Sequence, residues 1–294
     1  MTQASKDLYG DDIRCTIVLP LISGRTFTWS VAKPQGLLRY YVSLSPALQR
    51  AMLREPCSPE SPWDIIVYND EATPGNIAAP NNKRKFISFR FSFLQFPAYL
   101  LQSQAFWFEF ADLRSCIAQK VVGGTSTIMK YVFREFVIGA ESFETAGVAL
   151  RCNGNEPCLF FARTSRIIGD SPALSSSYGC FSHSGTKPCP LKCSNVLLKG
   201  MLEGDSAVPN PDGSLVDIRC TQRKRFIANS DADIWTYVDT LRLEHRRMGV
   251  GDFKKLQKAT GIIFNPRGLL FSRELRRFLS PTTSPRCDWV HMYL

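Results

Sequence analysis

The chain of 294 residues has no apolar run near the roughly 18–20 residues that cross a bilayer, so no membrane-embedded segment is expected. Its opening, MTQASKDLYGDD, lacks the apolar stretch of a secretory signal, and a cytosolic or nuclear setting is the expectation. There is no Walker-type Gly-Lys-Ser/Thr, no His-Glu-x-x-His and no Gly-x-Ser-x-Gly, which argues against P-loop nucleotide hydrolysis, zincin proteolysis and nucleophile-elbow hydrolysis. Gly123-Gly124-Thr125 is too short for a phosphate loop. No internal repeat and no low-complexity tract occurs, which excludes a solenoid. Acidic residues are in deficit, 26 against 36 Lys and Arg, leaving a net charge of +10 and a pI near 9.2. Such a balance favours an anionic partner. Nucleic acid is the commonest, because each phosphate neutralised releases a counterion.

The positive charge is clustered, at Lys83-Arg84-Lys85, Arg223-Lys224-Arg225, Arg246-Arg247, Lys254-Lys255 and Arg276-Arg277. A charged turn and a phosphate contact look alike in sequence, and Lys83, Arg84, Lys85, Arg223, Lys224 and Arg225 are the candidates for nucleic-acid contact. Hydrophobic content of 44% and charged content of 21% are those of a globular protein. Ten cysteines stand at 15, 57, 116, 152, 158, 180, 189, 193, 220 and 287. In a chain read as intracellular these are thiols or metal ligands rather than disulfides, most of them small buried hydrophobes.

Residues 1–60 suggest one helix, around Ser45–Arg54, and the polar linker EPCSPESP follows at 55–62. Strands are expected at Trp63–Tyr68, at Lys85–Leu94 and at Gln104–Phe110. In the second, Ile87, Phe89, Phe91 and Phe93 point one way and Ser88, Arg90 and Ser92 the other. A helix capped by Thr125 then carries Ile128, Met129, Val132, Phe133, Phe136 and Val137 on one core-facing stripe. Val148–Leu150 and Cys158–Ile168 read as further strands. Residues 171–230 are loop-rich. Amphipathic helix is expected from Asp231 to Thr260 with a break at Gly249–Gly251, and a short helix over Leu269–Leu279.

The stretch PWDIIVYNDEATPGN, residues 62–76, runs an apolar strand into Asp70 and Glu71. The strand Cys158–Ile168 likewise ends at Gly169-Asp170-Ser171-Pro172. Strand, strand, strand, helix, strand, with an acid at the end of the first and last, is the RNase-H-like order. Two carboxylates on adjacent central strands can share divalent ions ~3.5–4 Å apart, as two-metal phosphodiester chemistry requires, and Asp oxygens are hard ligands on a short stem. The alternative is a strand that simply ends in a polar turn.

Cys180, His183, Cys189 and Cys193 fall within fourteen residues, 180–193. Soft thiolates and imidazole are zinc ligands. The Cys-x3-Cys spacing of Cys189 and Cys193 supplies one close pair, with Cys180 or His183 and the distant Cys287 and His291 as further candidates; reduced thiols in a loop are the plain alternative. His245, on a basic stretch, reads as solvated surface.

Together these segments resemble the CACTA-like cut-and-paste transposases and their eukaryotic relatives. The resemblance rests on Ile65–Asn76, Ile167–Ala173, Gly179–Cys193 and Asp288-Trp289-Val290-His291, and it covers roughly residues 60–294. It implies an α/β, RNase-H-like mixed sheet flanked by helices, with a cysteine-containing loop region and a helical insertion. It implies Mg²⁺ or Mn²⁺, DNA as partner, and nuclear work. Asp70 and Asp170 would be the first two catalytic metal ligands, Cys189 and Cys193 the cysteine pair, and Asp288 and His291 the downstream element. The organisation expected is an N-terminal segment of unknown role (1–60), a partial RNase-H-like core (61–178), a cysteine-containing loop region (179–230), and a helical insertion with the terminal element (231–294). In the family a third acid, Glu, follows on a later helix; the sequence ends three residues past His291, and Glu274 lies upstream in an Arg-rich stretch. The expectation is therefore a fragment or relic of a strand-transfer enzyme, catalytically incomplete. The rival expectation is a zinc-stabilised nucleic-acid-binding protein without catalytic activity.

Overall fold

The structure, a computed structural model, describes residues 13–74, 84–151, 157–181, 187, 189–197, 216–217 and 223–287. It falls into two units, Met1–Val122 with Lys130–Ile168, and Gly123–Met129 with Gly169–Leu294.

The first unit begins with an element absent from the sequence reading, an antiparallel hairpin of β1 (Arg14–Pro20) and β2 (Thr26–Ala32). Only Ile17, Leu19, Trp29 and Val31 of these strands are fully buried, so the alternation is short and easily missed. The Trp29 indole N–H donates to the Asp112 carbonyl at 2.9 Å. Next come α1 (Pro34–Leu44), opened by a proline whose missing N–H costs nothing at a helix start, and α2 (Pro46–Met52). The Ser45 hydroxyl caps α2 by accepting from the Leu48 N–H at 3.2 Å.

The sheet of this unit contains β3 (Trp63–Ala72), β4 (Phe86–Phe93), β5 (Phe108–Arg114) and β8 (Ala162–Gly169), in the order β8-β3-β4-β5. Between these come α3 (Ala98–Leu101), α4 (Ser115–Ala118), α5 (Gly124–Val137), whose first residues count with the second unit, and the antiparallel pair β6 (Val148–Leu150) and β7 (Cys158–Phe160). β3 pairs antiparallel with β4 and parallel with β8, and β4 pairs antiparallel with β5. The unit is thus α/β, with a mixed sheet flanked by helices.

One face of the sheet is aromatic. Phe91, completely buried, has its ring centroid 5.0 Å from Phe108, 5.3 Å from Phe136 of α5, 5.9 Å from Phe110, 6.0 Å from Phe93 and 6.4 Å from Phe143. Trp63 closes the cluster at one end, against Phe93, Phe96 and Phe160. The alternation in β4 holds, since Ile87, Phe89, Phe91 and Phe93 are all buried. Ser88 and Ser92 on the opposite face are buried too. The Ser92 hydroxyl donates to the Phe106 carbonyl at 2.8 Å, which is how the covered serine satisfies its donor.

Four boundaries differ from the sequence expectation. β3 continues through Asp70 and Glu71, because its ladder with β4 runs on to Ala72↔Phe86. The expected strand at Gln104 is a 3₁₀ turn, Gln104–Phe106, and pairing starts at Phe108. α5 starts at Gly124, so Thr125 lies inside the helix. The expected strand Cys158–Ile168 breaks at Phe161, whose N–H donates to the Cys57 thiol at 2.9 Å and whose carbonyl accepts from the Cys57 S–H and from the Trp63 N–H, each at 2.9 Å.

The second unit contains α6 (Ser171–Tyr178), the two-residue parallel strands β9 (Val196–Leu197) and β10 (Val216–Asp217), α7 (Asp231–Glu244), α8 (Val250–Thr260) and β11 (Pro285–Cys287). Ser230 and Asp233 form a reciprocal capping box on α7. Asp231 ties that helix start to the C-terminal segment by accepting from the Thr282 N–H at 2.9 Å and its hydroxyl at 2.6 Å. The expected helix over Leu269–Leu279 is a series of turns ending in a 3₁₀ turn, Arg276–Phe278. Within it the Leu269 N–H donates to the Ser126 hydroxyl at 3.1 Å, drawing the backbone away from helical pairing. Among the described residues no helix is long and apolar enough to cross a membrane.

Truncating Phe91 leaves a void in the middle of this cluster. Phe91→Ala is expected to lose about 3–5 kcal/mol of unfolding free energy, read from urea denaturation; a loss below about 1 kcal/mol would show that the aromatic face is not the core.

Candidate functional site: a polar sheet face and a thiol-lined pocket

The face of the first unit's sheet that turns away from the phenylalanines carries charge. Cross-strand register aligns Asp70 with Ser88 and Ser88 with Asp112, and in the next polar row Tyr68 with Arg90 and Arg90 with Glu109. Residues three apart on a regular strand point to opposite faces. Glu109 and Asp112 share a face because β5 is irregular opposite Phe89 and Arg90, where Phe110 is the extra residue. Asp70 is half-buried; one oxygen accepts from the Tyr68 hydroxyl at 3.1 Å and the other from the Glu71 N–H at 2.7 Å. Those two donors fix its carboxylate plane. The Tyr68 ring meets Trp107 edge-on at 6.0 Å.

Asp112 was not singled out from sequence, because its meeting with Glu109 depends on the irregularity of β5. Burial, then the hydrogen bond and charge of Glu109, push its carboxyl up to about 6, with Ser88 and Arg90 offsetting part of this. Arg90 holds Glu109 in a two-nitrogen ion pair, with contacts of 2.9 and 2.7 Å. Glu71 faces the other way and is satisfied by the Ser115 hydroxyl at 2.6 Å and Lys85 at 2.9 Å. Burial pushes its pKa up, but Ser115 and Lys85 outweigh that and hold the carboxyl below the usual range. Lys85, a candidate phosphate contact, is therefore paired with Glu71.

Asp170 opens the second unit as the N-cap of α6, accepting from the Ala173 N–H at 2.6 Å, with a proline in the first turn. Gly179 ends the helix in the left-handed region at φ 69°. A Cβ there would lie 3.2 Å from the Ser126 hydroxyl, so glycine serves both the turn and the close approach. The capping role accounts for the local sequence Gly169-Asp170-Ser171-Pro172 without any ligand.

Beyond α6 lies a pocket of about 120 Å³ whose wall includes Cys180, Cys189 and Cys287 together with Leu174, Leu191 and Lys192. The Cys189 thiol donates to Cys193, and that bond holds the Cys193 thiol down at about 7 while Cys189 is pushed up. Burial raises Cys180 and Cys287, each further raised by Cys189. Four thiols from three separate stretches thus sense one another. Lys192, lowered by burial and by Arg286, donates its ammonium to the Thr282 carbonyl. Lys187, nearly fully buried, is brought down to about 8 by desolvation and lies 5.6 Å from the Tyr237 ring centroid. Among the described residues, no three His, Cys, Asp or Glu side chains are arranged to hold a metal ion. The expectation that most cysteines are buried does not hold: of the described ones only Cys180 is, and Cys116, Cys158 and Cys287 are exposed.

His183, Asp288, His291 and Lys83 lie outside the described residues. Arg223 begins a 3₁₀ turn, Arg223–Arg225, in which Lys224 and Arg225 are exposed and the Arg225 carbonyl accepts from the Asn195 amide at 2.7 Å. Arg84 gives its carbonyl to Arg114 at 3.3 Å. Glu274 is exposed on the turns after residue 269. His245 is exposed, as expected of a surface residue, and its ring stacks on Phe264 at 4.4 Å. No protein-family model matches the sequence, and no curated protein matches it.

The raised carboxyl of Asp112 has a consequence for stability. Between about pH 4 and about pH 6 the folded chain holds a proton there that the unfolded chain has released, so this contribution is present at low pH and lost as pH rises through 6. Asp112→Asn is therefore expected to be more stable than the natural chain above about pH 7, with the difference vanishing below about pH 4. Denaturant midpoints across that range test it; a constant difference would remove the linkage.

Proposed function

We propose that the protein derives from a metal-dependent DNA strand-transfer enzyme of the CACTA-like type, acting in the nucleus, and keeps the aspartate pair of an RNase-H-like centre. The observation that carries this reading is the pairing of β3. In an RNase-H-like sheet the first strand lies between an antiparallel second strand and a parallel fourth. β3 has that arrangement, antiparallel to β4 and parallel to β8, with β5 beyond β4. The β3–β8 register ends at Tyr68↔Ile168, and each of these residues is followed two positions later by an aspartate, Asp70 and Asp170.

The donor chemistry fits a hard divalent ion. Two carboxylates, one oriented by Tyr68 and the Glu71 N–H and the other by the α6 cap, suit Mg²⁺ or Mn²⁺ better than a soft metal. When bound, such an ion would supply Lewis-acid activation of a phosphodiester. Asp70 and Asp170 would hold it, and the excess positive charge of the chain would favour DNA.

Thermal unfolding with and without Mn²⁺ tests the reading. Mn²⁺ is expected to raise the midpoint of the natural chain, and Asp70→Asn and Asp170→Asn each to abolish the rise. Asn caps a helix about as well as Asp, so Asp170→Asn keeps α6 intact and the comparison reports on ligation. A rise that persists in both variants would defeat the proposal. Mg²⁺-dependent plasmid cleavage that is lost in Asp70→Asn would show in addition that the pair supports strand cleavage.

A second reading, a zinc-stabilised nucleic-acid-binding protein, is favoured by the pocket that Cys180, Cys189 and Cys287 line and by the hydrogen bond between Cys189 and Cys193. It predicts about one zinc per chain after dialysis, lost when Cys189 and Cys193 are both replaced by Ser. Metal-free protein with an unchanged melting profile would dismiss it.

A further inference from the structure

The first unit has a surface cleft of about 360 Å³ whose wall contains neither aspartate, lined by Arg50, Arg54, Pro97, Tyr99, Leu100 and Phe106 among others. Arg50 belongs to α2, and Arg54 follows one turn later, where its N–H still donates to the Ala51 carbonyl at 3.4 Å. Residues four apart on a helical turn stand side by side. Both arginines are exposed, the cleft wall contains no carboxylate, and among the described residues neither arginine enters an ion pair. Two adjacent guanidinium forks with no internal counter-charge are suited to a phosphate, which they can grip through paired N–H donors.

The opposite wall is aromatic and held in place. Tyr99, on α3, is 67% exposed. Phe106 lines the same cleft, its ring edge-on to Phe96 at 5.4 Å, and the Trp107 indole ties the end of α3 by donating to the Leu101 carbonyl at 2.8 Å. An exposed phenol ring offers a face on which a planar heterocycle can stack. The cleft volume is in the range of sites that take a single small ligand.

We propose that this cleft binds one nucleotide unit of a single-stranded nucleic acid, with the phosphate held by Arg50 and Arg54 and the base stacked on Tyr99. Phosphate plus a π-face is the chemistry the wall offers. The net charge of +10 favours a polyanionic strand over a lone nucleotide or a phosphorylated peptide. The site does not depend on the aspartate pair or on any metal.

Fluorescence anisotropy of a labelled oligothymidylate of about a dozen residues, titrated with the full chain in EDTA, tests this apart from the metal-dependent reading. The double variant Arg50→Ala/Arg54→Ala is expected to weaken binding at least tenfold and to flatten the logarithmic salt dependence by about 1.4, two phosphate contacts at roughly 0.7 each. Tyr99→Ala should weaken binding by roughly 5- to 150-fold with the salt dependence unchanged, and Tyr99→Phe should bind like the natural chain. All these positions are exposed, and matching thermal melts confirm that the variants fold. Failure of the natural chain to bind the strand, or equal binding by all variants, overturns the proposal. So does displacement of the strand by AMP or by a phosphotyrosine peptide at concentrations where unlabelled strand does not compete.

Discussion

The ladder between β3 and β8 is the constraint on which the first unit depends. A parallel pair cannot be closed by a tight turn; it needs a crossover, and here roughly ninety residues, including β4, β5 and α5, intervene between the two strands. The crossover lays the α5 stripe over one face of the sheet, and this is why the phenylalanines of β4 and β5 meet Phe136 and Phe143. The same ladder sets the faces. Once Ile65 and Val67 point to the aromatic core, Tyr68 and Asp70 must point to the polar side.

The two faces divide the work. The aromatic side is dry and tightly interlocked, and it supplies the driving force for folding. The polar side carries Asp70, Arg90, Glu109 and Asp112, where charges are held by one another and by a strand irregularity. A carboxyl raised to about 6 beside Glu109 is unfavourable for stability near neutral pH. Functional surfaces tolerate such costs more often than structural ones. Under the proposed strand-transfer ancestry, this face is where anionic substrate and divalent ion would meet the protein.

The second unit is organised differently. It has little sheet of its own, and its described elements are tied by caps and by side chains that reach backbone groups: Asp231 to the Thr282 segment, Ser126 to Leu269, Asn265 to the Gly123 carbonyl. Its thiols add a further cluster. The aromatic stack of His245 on Phe264 fixes the α7–α8 turn in a stretch that composition alone presents as a basic surface.

Much of this was decided by the sequence alone. The strict alternation of Ile87, Phe89, Phe91 and Phe93 fixes a strand and its core face, because side chains alternate with period two. The stripe from Ile128 to Val137 fixes a helix, whereas the helix that Asp170 caps falls in a stretch whose composition reads as loop. Tertiary structure decided what depends on partners distant in the chain. The β1–β2 hairpin is held by four buried side chains and a Trp29 bond to Asp112, and Cys57 interrupts a strand by occupying the backbone of Phe161. The β5 irregularity brings Glu109 and Asp112 to one face, and Cys180, Cys189 and Cys287 line one pocket. No local spacing encodes those meetings, since each is fixed only when separate elements pack and their unpaired polar groups find donors and acceptors.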